Sequence, residues 1–318
     1  MAAREGYDEF AFIRWIRGEV VAGEGVLVGI GDDAAHVGCT GGGYLATTDM
    51  LLEGTHFEPS TPWRFVGRKG MAVSLSDIAA MGGIPRYALC AVGISDEMEP
   101  GDARELFRGM HEAAREFDCQ VVGGNVSSWG LGTVVCTTVM GEVAGRKPLC
   151  RNGARVGDAI VVTGELGGSL AGRHLHFTPR VAQGIHLSRN YEVHSCIDVS
   201  DGLGQDMGRI LEESGVGALI RAGAVPVSDA AVKAAASSGK TPLEHALSDG
   251  EDFELLFTMP QAQARLLQGD GAFGVKVSVI GEVVERGYLL ENADGTRSEF
   301  RPQGYVHFRR RGQKGLDA

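Results

Sequence analysis

Carboxylates recur in this chain in one kind of setting, at the end of an apolar run and beside glycine or serine. The clusters are Gly29-Ile-Gly-Asp-Asp33, Thr47-Thr-Asp49, Leu75-Ser-Asp77, Asp198-Val-Ser-Asp-Gly-Leu203 and Ser248-Asp-Gly-Glu-Asp252. Magnesium prefers hard oxygen ligands and takes one or two carboxylates together with substrate phosphates and water. Carboxylates converging from separate loops repel one another unless cations lie between them. The pattern predicts metal-assisted chemistry on a phosphate-bearing substrate, with more than one metal ion when a nucleotide adds its own charge.

Taken one at a time, each cluster also has an ordinary structural reading. Asp32-Asp33 can be a turn, and Thr47, Thr48 and Asp49 can cap the element that follows their strand. His56, a short way downstream of Asp49, is by itself no more than a structural or exposed histidine. Asp77 differs, because Ala72-Val-Ser-Leu-Ser-Asp-Ile-Ala-Ala-Met-Gly-Gly83 reads as a helix of small and apolar side chains. An unpaired carboxylate there is costly, so a paired or metal-facing aspartate is expected. In the Asp198 cluster, strand alternation puts Asp198 and Ser200 on one face, and Asp201 stands where the next helix needs an N-cap. Phosphate favours a helix N-terminus, but an aspartate opposes it there unless a metal bridges the two. Val121-Val-Gly-Gly-Asn-Val-Ser-Ser-Trp129 follows a strand and could bring backbone N–H groups, Gly124 among them, close to phosphates. Neither a GxxxxGK[ST] loop nor a GxGxxG turn opening a βαβ unit is present, so the common routes to nucleotide binding are absent.

The elements that position these residues are mixed. Short strands are expected at 26–28, 44–46 and 120–122, with longer ones at 87–94 and 133–143. Helices are expected over 66–81 and 102–117, and a short one near Phe10, Ile13, Trp15 and Ile16. Residues 144–158 are polar, basic and rich in turn formers, which marks them as a domain junction. Beyond it, strands at 159–163, 196–199, 253–259 and 275–284 accompany helices at 179–187 and 203–214. Strands and helices in both halves predict α/β or α+β domains.

Bulk properties narrow the function. A chain of 318 residues with 43% hydrophobic content can bury one large core or two ordinary ones. Its net charge of −11 disfavours nucleic acid and anionic membrane as partners. An acidic protein that binds phosphates must neutralise them, and divalent metal is the obvious means. The six cysteines show no CxxC pair, which fits reduced thiols in a cytoplasmic protein better than disulfides or zinc. The opening MAAREGYDEF has acids where a signal peptide needs an apolar run, and no stretch is long enough to span a bilayer.

In order and spacing, the clusters resemble the thiamine-monophosphate kinase family. Its superfamily includes aminoimidazole ribonucleotide synthetase, selenophosphate synthetase and the hydrogenase maturation protein HypE. The likeness runs from GIGDD to Gln303-Gly-Tyr-Val-His-Phe308. The resemblance implies two α+β / α/β domains, 1–148 for ATP, metal and dimerisation and 149–318 completing the nucleotide and substrate site. It implies ATP-dependent phosphorylation of thiamine monophosphate to thiamine diphosphate by direct in-line transfer, with several magnesium ions, in a homodimer. Asp33, Thr47, Thr48, Asp49, Asp77, Asp198 and Asp201 match metal-binding positions, and Gly124, Asn125, Arg151 and Ser200 match positions at ATP. His56, Glu251 and Tyr305 match substrate-binding positions. The family motif GGDTT appears here as Gly123-Gly-Asn-Val-Ser127, so Asn125 offers magnesium a carbonyl oxygen without a charge. No catalytic base is nominated, because the acceptor is itself a phosphate monoester.

Two alternatives stand beside this expectation. One is another ATP-dependent activity of the superfamily, disfavoured because HypE-like dehydration needs a cysteine near the C-terminus and the last cysteine is Cys196. The other is a nucleotide-binding regulatory homologue in which Asn125 marks lost transfer.

Overall fold

Most of the side chains that matter below are carried or held by one helix, α1 (Trp63–Ala80), which lies between two sheets. The computed structural model describes residues 25–39, 42–300 and Gly304. The helix expected near Phe10 to Ile16, the basic tail and Tyr305 lie outside the described residues. The first sheet comprises β1 (Val26–Val28), β2 (Ala35–Cys39), β3 (Gly42–Leu52), β4 (Gly83–Ser95), β5 (Gln120–Trp129) and β6 (Val134–Val143), in the order β1-β2-β3-β6-β4-β5. Neighbours are antiparallel except β4 and β5, which run parallel because the helix α2 (Pro100–Glu116) crosses over between them.

The second sheet comprises β7 (Ala159–Thr163), β8 (Ser195–Asp198), β9 (Gly217–Arg221), β10 (Leu255–Met259), β11 (Val277–Val284), β12 (Tyr288–Glu291) and β13 (Arg297–Glu299). Its order is β13-β12-β9-β11-β7-β10-β8. Both of its faces are covered at the centre, which is why β7 and β10 read as near-continuous apolar runs rather than alternating ones. Odd residues (Ala159, Val161, Leu255, Phe257, Met259) join the core that contains α1. Even ones (Ile160, Val162, Leu256) pack with α4 (Leu203–Ser214) through Leu203, Met207 and Ile210. The remaining helices are α3 (Val181–Asn190), α5 (Asp229–Ser238), α6 (Pro242–Ser248) and α7 (Gln261–Gln268). No helix among the described residues is long and apolar enough to cross a membrane.

Helix α1 is buried nearly all round, and Met71, Leu75 and Ile78 are fully enclosed. Each such side chain contributes about 1.5–3 kcal/mol of hydrophobic stabilisation. Small residues let it be so enclosed. Where α1 crosses α2, a Cβ on Gly67 would lie 1.9 Å from the Leu106 carbonyl oxygen, and one on Gly109 2.0 Å from that of Arg64.

Two segments differ from the sequence expectation. The strand β3 runs on through Thr47-Thr-Asp49, so these residues are strand interior rather than a cap or a loop. The glycine-rich 121–129 segment is not a phosphate-cradling loop but the edge strand β5. Glycine suits it because of closeness: a Cβ on Gly124 would lie 1.8 Å from the Cys90 carbonyl oxygen.

Gly109→Ala should lower stability by about 1–3 kcal/mol, because the new methyl meets rigid backbone and overpacking outweighs the roughly 1 kcal/mol gained in helix propensity. Urea unfolding midpoints measure this; an unchanged or higher midpoint contradicts the packing argument.

Candidate active site

A cleft of about 1520 Å³ opens between the two sheets, and acidic residues from both halves line it. Single carboxylate oxygens of Asp33, Asp77 and Asp198 lie within 4.8 Å of one another. They come from the turn before β2, from α1 and from the end of β8. Two residues of α1 and one of β3 hold the acidic set in place. Thr47 donates its hydroxyl to Asp77 Oδ2 at 2.5 Å, Ser74 to Asp49 Oδ2 at 2.8 Å, and Ser76 to Asp198 Oδ2 at 2.6 Å.

Crowding of like charges in a buried place shows in the carboxyl groups themselves. Burial and then the charges of Asp49, Asp198 and Asp33 push Asp77 well above the usual carboxylate range. Burial and then Asp33 do the same to Asp198, against the Ser76 hydrogen bond. Asp49 is raised by burial, and Asp32 is pushed up to about 6 by burial and by Asp33. The Oδ2 atom of Asp33 is buried with no hydrogen-bond partner. Such an atom is costly unless a cation reaches it.

Two arginines supply the positive charge. Arg151 donates from Nη2 to Asp33 Oδ1 at 2.7 Å, and its main-chain N–H donates to Asp32 Oδ1 at 3.1 Å. Burial works against its charge, yet Asp33 and Asp32 more than offset this and its pKa is raised. Arg209, on α4, donates to Asp206 Oδ1 at 2.7 Å and also pairs with Asp201. Asp206 is fully buried and is pushed up to about 7 by burial, against the opposing pull of Arg209. The expectation that Asp201 caps α4 is corrected here. The N-cap is Gly202, with no side-chain cap, and Asp206 Oδ2 accepts the Asp201 N–H at 3.0 Å instead.

At the other end of the cleft, His56 Nδ1 accepts the Leu52 N–H at 2.9 Å, which leaves Nε2 to carry the proton of the neutral ring. Glu251 is held by main chain and side chain: its N–H donates to the Ser200 carbonyl at 2.7 Å, and its carboxylate takes Lys69 Nζ at 2.7 Å. His174, kept towards its neutral form chiefly by burial, lines the same end.

Of the residues expected from sequence, Asp33, Thr47, Asp49, His56, Asp77 and Arg151 line the cleft, as do Asp198, Ser200, Asp201 and Glu251. Thr48 reaches it only in part. Its hydroxyl lies on the opposite face of β3, donating to the Thr137 carbonyl at 3.1 Å and accepting from Thr138 at 3.0 Å. Only its main chain can serve the site. Gly124 and Asn125 are not brought there within one chain, since they are exposed on β5 and Asn125 Nδ2 donates to Ser127 Oγ at 3.3 Å.

Sequence reasoning missed Lys69, Ser74, Ser76, Asp206, Arg209 and His174. A signal existed for the first three. Lys69 and Ser76 stand seven residues apart and Ser74 and Asp77 three, polar residues at helical spacings on an otherwise apolar helix. Arg209 pairs with Asp206 and Asp201, three and eight residues before it, and His174 lines the cleft beside residues distant in sequence.

The raised carboxyls have a pH consequence. They hold protons in the folded chain that the unfolded chain releases near pH 4, so their contribution is intact below about pH 4 and is lost as pH climbs to about 7 and beyond. With chelator present, the thermal midpoint should fall as pH rises from about 5 to about 8. A midpoint that is flat or rises over that interval contradicts the crowding.

Two family models match the chain: AIR synthase related protein, N-terminal domain, over residues 31–143, and its C-terminal domain over 155–290. Thiamine-monophosphate kinase of Rhodopirellula baltica is 39% identical over 94% of this chain and 97% of its own length. That of Aquifex aeolicus is 33% identical over 88% and 92%. The solved structure of AaThiL complexed with AMPPCP and TMP superposes with a TM-score of 0.83 at 30% identity, covering 97% of this chain and all of that one. Both domains and full-length relatives agree, and the chain belongs to the thiamine-monophosphate kinase family of the AIR synthase related proteins.

Proposed function

We propose that this protein transfers a phosphoryl group from ATP to thiamine monophosphate, giving thiamine diphosphate and ADP. The observation that carries the reading is the convergence of Asp33, Asp77 and Asp198 from both domains in one cleft. That cleft belongs to a chain matched over its length by a kinase solved with AMPPCP and TMP. The two domains divide near residue 148, the N-terminal one supplying most carboxylates and the C-terminal one completing the nucleotide and acceptor site.

The residues fit magnesium, because Asp33 Oδ2 is a buried acceptor without a partner and its neighbours are crowded anions. Asp33, Asp77 and Asp198 would hold it, with Asp49, Thr47 and Asp201 beside them. When bound, magnesium neutralises phosphate charge and ties the carboxylates to the nucleotide. Arg151 adds a guanidinium for phosphate oxygens, and Ser200 a hydroxyl. His56 and Glu251 face the acceptor. Its phosphate oxygen is a competent nucleophile near neutral pH, so alignment and charge neutralisation suffice and no side chain need take a proton.

The homodimer belongs to the same proposal. Strand β5 is an exposed edge carrying Val122, Val126 and Trp129, with Tyr87 and Leu89 exposed on β4 next to it. An open edge with apolar side chains invites pairing. A second copy docked there covers it, and gives Gly124 and Asn125 a route to a nucleotide that one chain lacks. The reading places the enzyme in the cytoplasm, where ATP is available and cysteines stay reduced.

Asp49→Asn or Asp201→Asn should cut the rate of thiamine diphosphate formation by on the order of 100-fold or more. Near-normal rates in saturating magnesium contradict the ligand role. Nucleotide binding by the wild type without product favours a regulatory homologue, and Asn125→Asp assayed alongside shows whether that position limits turnover. Light scattering should give a dimer for the wild type and a mass near 33.6 kDa for Val126→Lys. A monomeric wild type overturns the dimer.

A further inference from the structure

We propose that Lys69 is a positioning residue for the acceptor, locking Glu251 and the His56 turn into one rigid wall across the domain boundary. The inference rests on the reading of the cleft as a thiamine monophosphate site and adds a residue which that reading does not need.

Lys69 is completely buried, an unusual place for a lysine. Its Nζ lies 2.7 Å from each carboxylate oxygen of Glu251 and 2.6 Å from the His56 carbonyl oxygen. An ammonium has three N–H donors, and these three oxygens account for all of them. The lysine therefore has no donor left for a phosphate and reaches no solvent. It acts through its neighbours.

Those neighbours need holding. Glu251 has φ +63, in the left-handed region that side chains seldom adopt, and Phe253 has φ +51. Their N–H groups donate to the carbonyls of Ser200 and Val199, so the main chain of this loop is fixed to the segment that follows β8. Lys69 fixes the Glu251 side chain to α1 on the other domain. His56 is likewise held twice, its ring by the Leu52 N–H and its carbonyl by Lys69. Glu251 keeps 18% of its side chain accessible, where His174 also faces the cleft.

A buried ion pair is poor value as a pure stabiliser, because apolar residues of the same size usually serve as well or better. Its location supports a positional use. The same helix carries, within two turns, the hydroxyls that orient Asp49 and Asp198. Helix α1 thus sets the donor end of the cleft with Ser74, Ser76 and Asp77, and the acceptor end with Lys69.

The test is steady-state kinetics on purified enzyme with both substrates varied. Wild-type turnover of thiamine monophosphate decides the underlying reading; the ratio of the two KM shifts decides the role of Lys69. Lys69→Met should raise KM for thiamine monophosphate roughly 10- to 100-fold, as expected for a misplaced binding group. KM for ATP should stay within about twofold. Lys69→Arg keeps the charge and should recover part of the acceptor affinity. Equal rises in both KM values, or a loss of active protein with both KM values unchanged, overturn the proposal. Should Lys69→Met not fold, calorimetry on Lys69→Arg decides. Weakened thiamine monophosphate binding with unchanged AMPPCP binding supports the role, and equal weakening or none refutes it.

Discussion

Mutual repulsion among buried carboxylates is the constraint on which the rest of this structure depends. Asp33, Asp77 and Asp198 are brought within 4.8 Å of one another from two domains, in surroundings that raise the proton affinity of Asp77 and Asp198. Nothing about such an arrangement is favourable in itself. It persists because α1 is enclosed between two sheets, and the burial of Met71, Leu75 and Ile78 holds the helix where it must be. A cation brought in with a phosphate-bearing ligand would relieve this repulsion, as expected of a site organised before its substrate arrives.

The same helix explains how the two ends of the cleft stay in register. Its hydroxyls reach Asp49 on the first sheet and Asp198 on the second, and its buried lysine reaches Glu251 on the loop before β10. Arg151, in the connection between the sheets, ties Asp32 and Asp33 to the start of the second domain. The cleft is therefore a seam laced by side chains rather than a gap between independent bodies. Small displacements of α1 should be felt at both substrates, which is the expectation for in-line transfer between two phosphates.

Much of this was legible in the sequence, for identifiable reasons. Strand β7 and helix α4 were read to the residue, because a short apolar run and a 3.6-residue period are local signals. The aspartates stood out because an acid beside glycine or serine at the end of an apolar run has few structural uses. What failed was equally physical. The run Gly123-Gly-Asn reads as backbone free to approach a phosphate, yet glycine there answers to the close approach of Cys90, which only the sheet reveals. Thr48 looked like its neighbours, but strand alternation sends its hydroxyl to the other face. Asp201 looked like a helix cap until Arg209 and Asp206, from the helix it precedes, claimed it.

The most direct test of the central claim is anomalous diffraction from crystals grown with manganese and AMPPCP. The account predicts a peak bounded by the carboxylates of Asp33, Asp77 and Asp198, with the nucleotide phosphates on its open side. Manganese bound to the nucleotide alone, or density elsewhere with those carboxylates still crowded together, would contradict it.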